Sequence, residues 1–429
     1  MRRTYLFTAC VAMVLGHATR GVAEDAVLGD PLTLNAVVAY ARAHNPEIRA
    51  AYAGSRAAQA RPAQAGTLPD PMLDVAYHDE GFQRLRLGDT EFAYVRVGAS
   101  QEVPFPGKLG LKREIAAQSA EQTGAMAQRT EFDVISRVKQ AYADYAHLDE
   151  LLDLLHRNQT LLEKLARTAE GRYAVGQGIQ QDVLRAHLEL SLLIDRETTL
   201  AQRRQSQTAA LNALLDRPAS AALGDAEHPA ARTLTRSLED LTAAAHVHSP
   251  ELRSAALGVA SSETGVSLAR REYFPDFVVR ADYMQKSALL PEWEVGIGVK
   301  VPLYLATKQR AGVEEAAALL AQARAASETT EVDVAARIKD LYARAQASER
   351  LIALYRSTVI PQAQLATESA TAAYEVAKVD FTTLLNSFTV MLEYEMRYHE
   401  ELAEFQKAVA ELEAVVGERL EESDVEPTH

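Results

Sequence analysis

Residues 101–109 read Gln101-Glu102-Val103-Pro104-Phe105-Pro106-Gly107-Lys108-Leu109, and the chain changes character within them. Pro104 and Pro106 end a strand, because proline has no N–H to give to a ladder. Gly107 turns the chain, and a helix is expected to begin at Lys108. Upstream, Ala93, Val95, Val97, Ala99 and Val103 fall on one face of the strand, and Arg96, Ser100 and Glu102 on the other. Downstream, the helical pattern runs to about residue 173. At 1.5 Å per residue, a helix of about sixty residues is about 90–100 Å long. Rods of that length do not fit a compact domain, so they are expected to pack lengthwise as coiled coils.

The same passage returns about two hundred residues later. His44-Asn45-Pro46-Glu47-Ile48-Arg49 reappears as His248-Ser249-Pro250-Glu251-Leu252-Arg253, and Leu68-Pro69-Asp70 as Phe274-Pro275-Asp276. Val97-Gly98 and Val103-Pro104 match Val295-Gly296 and Val301-Pro302; Lys139 and Tyr142 match Lys339 and Tyr342. Each copy is expected to hold a helix (about 33–65 and 237–272), two strands, a long helix (108–173 and 308–374), and a return helix (179–216 and 380–417). Ile338, Leu341, Tyr342 and Ala345, then Leu351, Leu354, Tyr355 and Val359, predict one apolar seam. A kink is expected at Pro361. The resulting division is a first repeat over 24–216 (hairpin 72–103), a linker over 217–235, a second repeat over 236–418 (hairpin 277–301), and a polar tail over 419–429.

The start of the chain predicts export. Arg2 and Arg3 precede an apolar run from Tyr5 to Leu15, and small-residue cleavage patterns end at Ala18 and Ala23. Residues 1–23 are read as a signal peptide cut after Ala23, and the only cysteine, Cys10, lies inside it. The mature chain then forms neither disulfides nor thiolate metal sites. A net charge of −14 with no basic stripe argues against nucleic acid as a partner. The 48% hydrophobic content, rich in Ala and Leu, is enough for extended helical cores.

The hairpins bear on the compartment. In the second, with its turn near Ser287 to Pro291, Phe277, Val279, Ala281 and Tyr283 oppose Arg280 and Asp282. Trp293, Val295, Ile297, Val299 and Val301 likewise oppose Glu294, Gly296, Gly298 and Lys300. The first hairpin turns around Gly88-Asp89. Strands of about nine to eleven residues suffice to cross a bilayer when tilted. Two readings are open: a barrel wall between lipid and water, or a half-buried sheet lying on the helices. The barrel reading makes Val95, Val97, Phe277, Val279, Trp293, Val295 and Ile297 lipid-facing, and Arg96, Glu102, Arg280, Asp282, Glu294 and Lys300 lumenal. Four strands in lipid leave two unpaired edges, so they must close with further copies of the chain.

Taken together, these features resemble the TolC-like outer-membrane factors over nearly the whole mature chain. Leu68-Pro69-Asp70-Pro71-Met72 and residues 101–109 look most like the heavy-metal branch, the CusC and CzcC type. The resemblance implies a mainly α fold with a small transmembrane β part. It implies long coiled-coil helices forming an α-barrel, and four strands per protomer in a shared trimeric β-barrel. It further implies a homotrimer in the outer membrane of a Gram-negative bacterium, extending into the periplasm. Its partners would be outer-membrane lipid, a periplasmic adaptor (membrane fusion protein) and an inner-membrane RND-type pump, with no cofactor. The implied function is a passive trans-periplasmic efflux duct, with heavy-metal cations as expected cargo. The alternatives are drug or organic-toxicant efflux or type I secretion and, more distantly, a periplasmic coiled-coil scaffold.

In that family the tunnel closes at the helical tips. Tyr173-Ala174-Val175-Gly176-Gln177-Gly178, followed by Asp182-Val183-Leu184 and Arg185, matches the tip pattern, with Gly176 and Gly178 expected in a tight turn needing positive φ. The second tip departs from it, with Ala377 and Val379 in place of glycines and uncharged Thr383 and Asn386 at the acidic positions of some relatives. Asp182 and Asp380 fit either a ring of charge or ordinary helix N-terminal placement. No phosphate loop, His-Glu-x-x-His or nucleophile elbow occurs, so no enzyme is expected. His44 and His248, and the group Tyr394, Met396, Tyr398 and His399, are read as structural and not as metal ligands.

Overall fold

The computed structural model describes residues 29–79, 92–227, 232–286 and 289–420, and the backbone of 422–424. The signal segment with Cys10, the turn at Gly88-Asp89, Ser287, and most of the 419–429 tail lie outside them. Three short helices open the chain: α1 (Leu34–His44), α2 (Pro46–Gln59) and α3 (Arg61–Ala65). Strands β1 (Met72–His78) and β2 (Tyr94–Val103) lead into α4 (Lys108–Ala174) and its return helix α5 (Gln180–Leu214). After β3 (Arg232–Leu234) the order recurs: α6 (Leu238–His248), α7 (Pro250–Arg271), β4 (Asp276–Gln285) and β5 (Glu292–Lys300). It ends with α8 (Arg310–Leu354), α9 (Ile360–Glu375), α10 (Phe381–Val416) and β6 (Glu422–Asp424).

The opening helix of each half is broken where one continuous helix was expected. Pro46 and Pro250 lack an N–H and clash with the preceding turn. Asn45 instead ends α1 and caps α2, accepting from the N–H of Glu47 and Ile48. The long helix of the second half is also not uniform. Its α-helical part is flanked by π-helical turns at Leu305–Gln309 and Tyr355–Val359. The second turn ends two residues before Pro361, which cannot donate to the carbonyl of Ser357, so the expected interruption takes the form of a widened turn. Up to that turn the seam keeps a regular three-and-four spacing, with Ile338, Leu341, Ala345, Ile352 and Tyr355 buried, and this spacing leaves Leu354, expected in the seam, facing out.

Helix α4, 67 residues and about 100 Å long, is the spine. It packs against α5, α7, α10 and the three opening helices. One apolar core runs along the far half of α4 with α5, α9 and α10, built from Leu148, Leu155, Leu162, Leu193, Phe381, Leu384 and Phe388. Two further cores fill the ends nearer the sheet, one around Tyr142 and Tyr145 and one around Ile338 and Phe405. Each fully buried Leu or Phe contributes about 1.5–3 kcal/mol, which is how helices of mixed surface hold together at this length.

Candidate functional site

Strands β1, β2, β4 and β5 form one antiparallel sheet in that order. The central pairing, β2 with β4, joins the two halves of the chain, Val103 opposite Phe277 and Val97 opposite Tyr283. Among the described residues, edge strands β1 and β5 have no second strand partner. The register fixes the two faces. Val75, Val97, Tyr283 and Trp293 form one row across the sheet, and Leu73, Ala99, Ala281 and Val295 the next. That face also carries Val95, Phe277, Val279 and Ile297, and none of the described residues covers its outer part: Trp293 is 77% exposed and Ile297 74%.

The opposite face carries Arg96, Glu102, Arg280, Asp282, Glu294 and Lys300. Arg96 bridges three strands, with Asp74 at 3.0 Å and Asp282 at 3.7 Å. Lys300 meets Glu102 at 2.6 Å. Arg280 and Glu294 are exposed. Gly98 sits below this charge cluster, and a Cβ on it would lie 2.5 Å from Asp282 Oδ1 and 2.7 Å from Asp74 Oδ1.

Where the sheet meets the helices, Lys108 is buried to 2% exposure, which the sequence did not signal beyond its place after Gly107. Its ammonium donates to Glu272 (3.1 Å), to the Phe274 carbonyl (3.1 Å) and to Asp276 (2.9 Å). Asp276 also accepts from the N–H of Phe105 at 2.7 Å, and the rings of Phe105 and Phe274 stack 4.6 Å apart. The helix start of one half is thereby locked to the strand start of the other. The acidic partners hold the Lys108 ammonium above its ordinary pKa, against the opposing effect of burial.

At the far end, α4 turns into α5. Gly176 has φ +71°, as a helix C-terminus closing in the left-handed region requires. Gly178 does not share that conformation. An added Cβ there would sit 3.1 Å from the Tyr173 nitrogen, so its glycine answers a close backbone approach. The second tip makes the same turn without glycine: Ala377 takes φ +60° and donates to the Tyr374 carbonyl. Asp380 caps α10, accepting from the N–H of Thr383 at 2.8 Å and from its hydroxyl at 2.5 Å. These two bonds hold its carboxyl below the usual range. Asp182 accepts from the Tyr374 hydroxyl at 3.4 Å, and the Arg172 guanidinium lies 4.5 Å over the Tyr374 ring. Burial, reinforced by Asp182, raises the Tyr374 pKa. Arg185 donates to Thr382, and Asn386 is exposed one turn beyond Thr383. Both aspartates thus occupy helix N-terminal positions, and Asp182 through Tyr374 and Arg185 through Thr382 tie the two tips together within one chain.

Remaining polar candidates have local partners. His44 bonds the Tyr40 carbonyl at 2.9 Å and stacks on its ring. His248 lies 3.8 Å from Glu418. Tyr398 and His399 line a groove of about 990 Å³ between α4, α9 and α10, and Met396 packs against the core. Among the described residues, no group of three or more His, Asp or Glu side chains gathers to hold a metal, and no helix is long and apolar enough to cross a membrane.

The family model described as "Outer membrane efflux protein" matches residues 37–217 and 241–418. The cobalt-zinc-cadmium resistance protein CzcC of Cupriavidus metallidurans is 22% identical over 401 residues, covering 90% of each chain. Two solved structures share the fold. The outer membrane protein VceC of Vibrio cholerae has a TM-score of 0.76 at 19% identity, covering 90% of this chain and 97% of its own. CusC has a TM-score of 0.76 at 15% identity, covering 93% and 96%.

Proposed function

The chain belongs to the outer membrane efflux protein family, and on that premise we propose that it is the outer-membrane duct of a tripartite efflux system. The observation that carries this reading is the sheet. One face is apolar across all four strands and left uncovered, and both edges are unpaired among the described residues. Lipid satisfies the face but not the edges, so the sheet closes with further copies, three by the family pattern. The apolar face then meets outer-membrane lipid, and Arg96, Glu102, Arg280, Asp282, Glu294 and Lys300 line the lumen. The α4–α5 and α9–α10 tips, carrying Gly176, Gly178, Asp182, Arg185, Asp380, Thr383 and Asn386, reach through the periplasm to an adaptor and an inner-membrane pump. The two halves act as repeats of one unit, each giving a hairpin to the barrel and a helical pair to the tunnel.

The cargo reading is heavy-metal cations, supported by the match to CzcC along 90% of both chains. The duct itself performs no chemistry on its cargo; selection and energy lie with the pump.

Placing Arg at Ile297 tests the membrane assignment. A lipid-facing charge costs about 2–4 kcal/mol per chain near the midplane, so heat-resistant oligomers should vanish from the outer-membrane fraction. Asp at Ser100, on the polar face, should leave them intact. Normal assembly of the Ile297→Arg chain would refute the duct. For the cargo, a deletion strain should become sensitive to cobalt, zinc or cadmium; unchanged metal tolerance with lost drug tolerance would overturn the metal reading.

A further inference from the structure

Helix α4 packs on one side against α2 and α5 of its own half, and on the other against α7 and α10 of the second half. Its counterpart α8 packs against its own α7 and α10. The face of α8 that would meet another such pair is exposed: Ala325, Val332, Ala336, Ala343, Ala347 and Leu354, spaced by sevens and fours. The matching positions of α4 are buried or half-buried, with Ala125, Ser136, Ala143 and Leu154 no more than 5% exposed.

Four ties seat α7 and α10 on that side of α4. Gln122 donates to the Ser254 carbonyl at 3.2 Å, Arg129 meets Glu251 at 3.3 Å, Lys407 meets Asp144 at 3.0 Å, and Lys139 pairs with Glu413. Aligning His44 with His248, Lys139 with Lys339 and Tyr173 with Tyr374 gives each tie its counterpart. Gln322 and the Ala50 carbonyl can remake the first, because its acceptor is backbone. The others become Thr329 with Glu47, Ser206 with Arg344 and Lys339 with Asn212, each lacking one charge. An added Cβ on Gly258 would lie 3.2 Å from Gln122 Nε2, whereas its counterpart Gly54 meets nothing within 4 Å, and Gln322 is exposed. Leu154 and Glu395 line one groove; their counterparts Leu354 and Ile194 are 46% and 56% exposed.

We propose that a second copy of this chain lays its α2 and α5 along α8, in the register that α7 and α10 take on α4. The inference rests on the duct reading, which requires further copies and leaves their helical contacts unassigned. A copy is the occupant because its first half brings helices of the same order and spacing as those on α4. Repeated head to tail, the interface closes a ring. Its neutral counterparts set it apart from the ion-paired interface inside the chain, so helices seated in the wrong one leave charges unmatched.

Cys10 is the only cysteine, so the test uses the full chain with Cys10→Ser. In the purified oligomer, a short bismaleimide should convert most of Gly54→Cys/Gln322→Cys into dimers and larger species on a denaturing gel. Each single variant should stay a protomer. Gln122→Cys/Gly258→Cys should cross-link within the chain, and Gly54→Cys/Leu354→Cys, about 48 Å out of register, should give no larger species. Without cysteines, Ser206→Glu should raise the dissociation temperature of the oligomer by a few degrees and Ser206→Lys should lower it; both shifts should vanish with Arg344→Ala. Oligomers without cross-linked dimers while the internal pair reacts, or Ser206 shifts of one sign, would overturn the interface and leave the duct standing. A parent chain that stays a monomer in detergent would overturn both.

Discussion

Replacing Lys108 with Met keeps the length and apolar stem of the side chain and removes only its charge and donors. The parent ammonium makes three hydrogen bonds at 2% exposure. Breaking a buried ion pair from one side costs about 3–5 kcal/mol, because the partner charge stays behind. Two features reduce that figure. Glu272 has a half-exposed side chain and regains water, and Asp276 keeps its bond from the Phe105 N–H. The expected loss is therefore about 2–3 kcal/mol, most of it from Asp276 and the orphaned Phe274 carbonyl. Denaturant unfolding in detergent, followed by Trp293 fluorescence at fixed protomer concentration, measures it. Adding Asp276→Asn to Lys108→Met should recover part of the loss, since no uncompensated carboxylate then remains. A single variant within about 0.5 kcal/mol of the parent would refute the lock between the two halves, that being the scatter of ordinary surface changes.

Other expectations concern the tips and the acid limb of stability. Ala377→Gly should stabilise by about 0.5–1 kcal/mol, as relief of a left-handed alanine outweighs the extra freedom of glycine in the unfolded chain; thermal unfolding in detergent shows it. Gly176→Ala should cost about 1 kcal/mol, since only φ resists a Cβ that meets nothing within 4 Å. Gly178→Ala should cost more, because the Tyr173 backbone nitrogen is in the way. The Asp380 carboxyl is held below its ordinary value, so the cap is fully formed above about pH 4 and is lost as the pH falls through the lower folded value. Melting temperatures between pH 2 and 6, on the order of a few degrees apart, should fall with acid in the parent and stay flatter in Asp380→Asn.

Much of the sheet was legible because strand alternation has a period of two, and a register error would expose the wrong face at every position. Trp293, Val295 and Ile297 were assignable to one face for that reason, and Glu294 to the other. The long helices were legible from length and from the absence of stop signals. What escaped were features set by tertiary neighbours. The burial of Lys108 depends on Glu272, Phe274 and Asp276, more than 160 residues away. Leu354 is apolar yet lies off the seam, because the three-and-four spacing through Leu341, Ala345, Ile352 and Tyr355 passes it by. Ala377 adopts the glycine conformation because the packed helices on either side dictate where the turn must close. The cluster of Arg96, Asp74 and Asp282 was hidden for another reason: its members lie on three strands, and only the pairing of β2 with β4 aligns them.

That pairing also sets an order of events. Export delivers the first hairpin about 180 residues before β4, the strand that must lie beside β2. Until then β2 has an open edge and a bare apolar face in water, a combination that invites pairing with the wrong chain. Sheets assembled from such distant segments form slowly, because closing the long loop precedes any reward. The hairpin is therefore exposed to mispairing in transit, and the interval of risk is set by where in the sequence the second half begins.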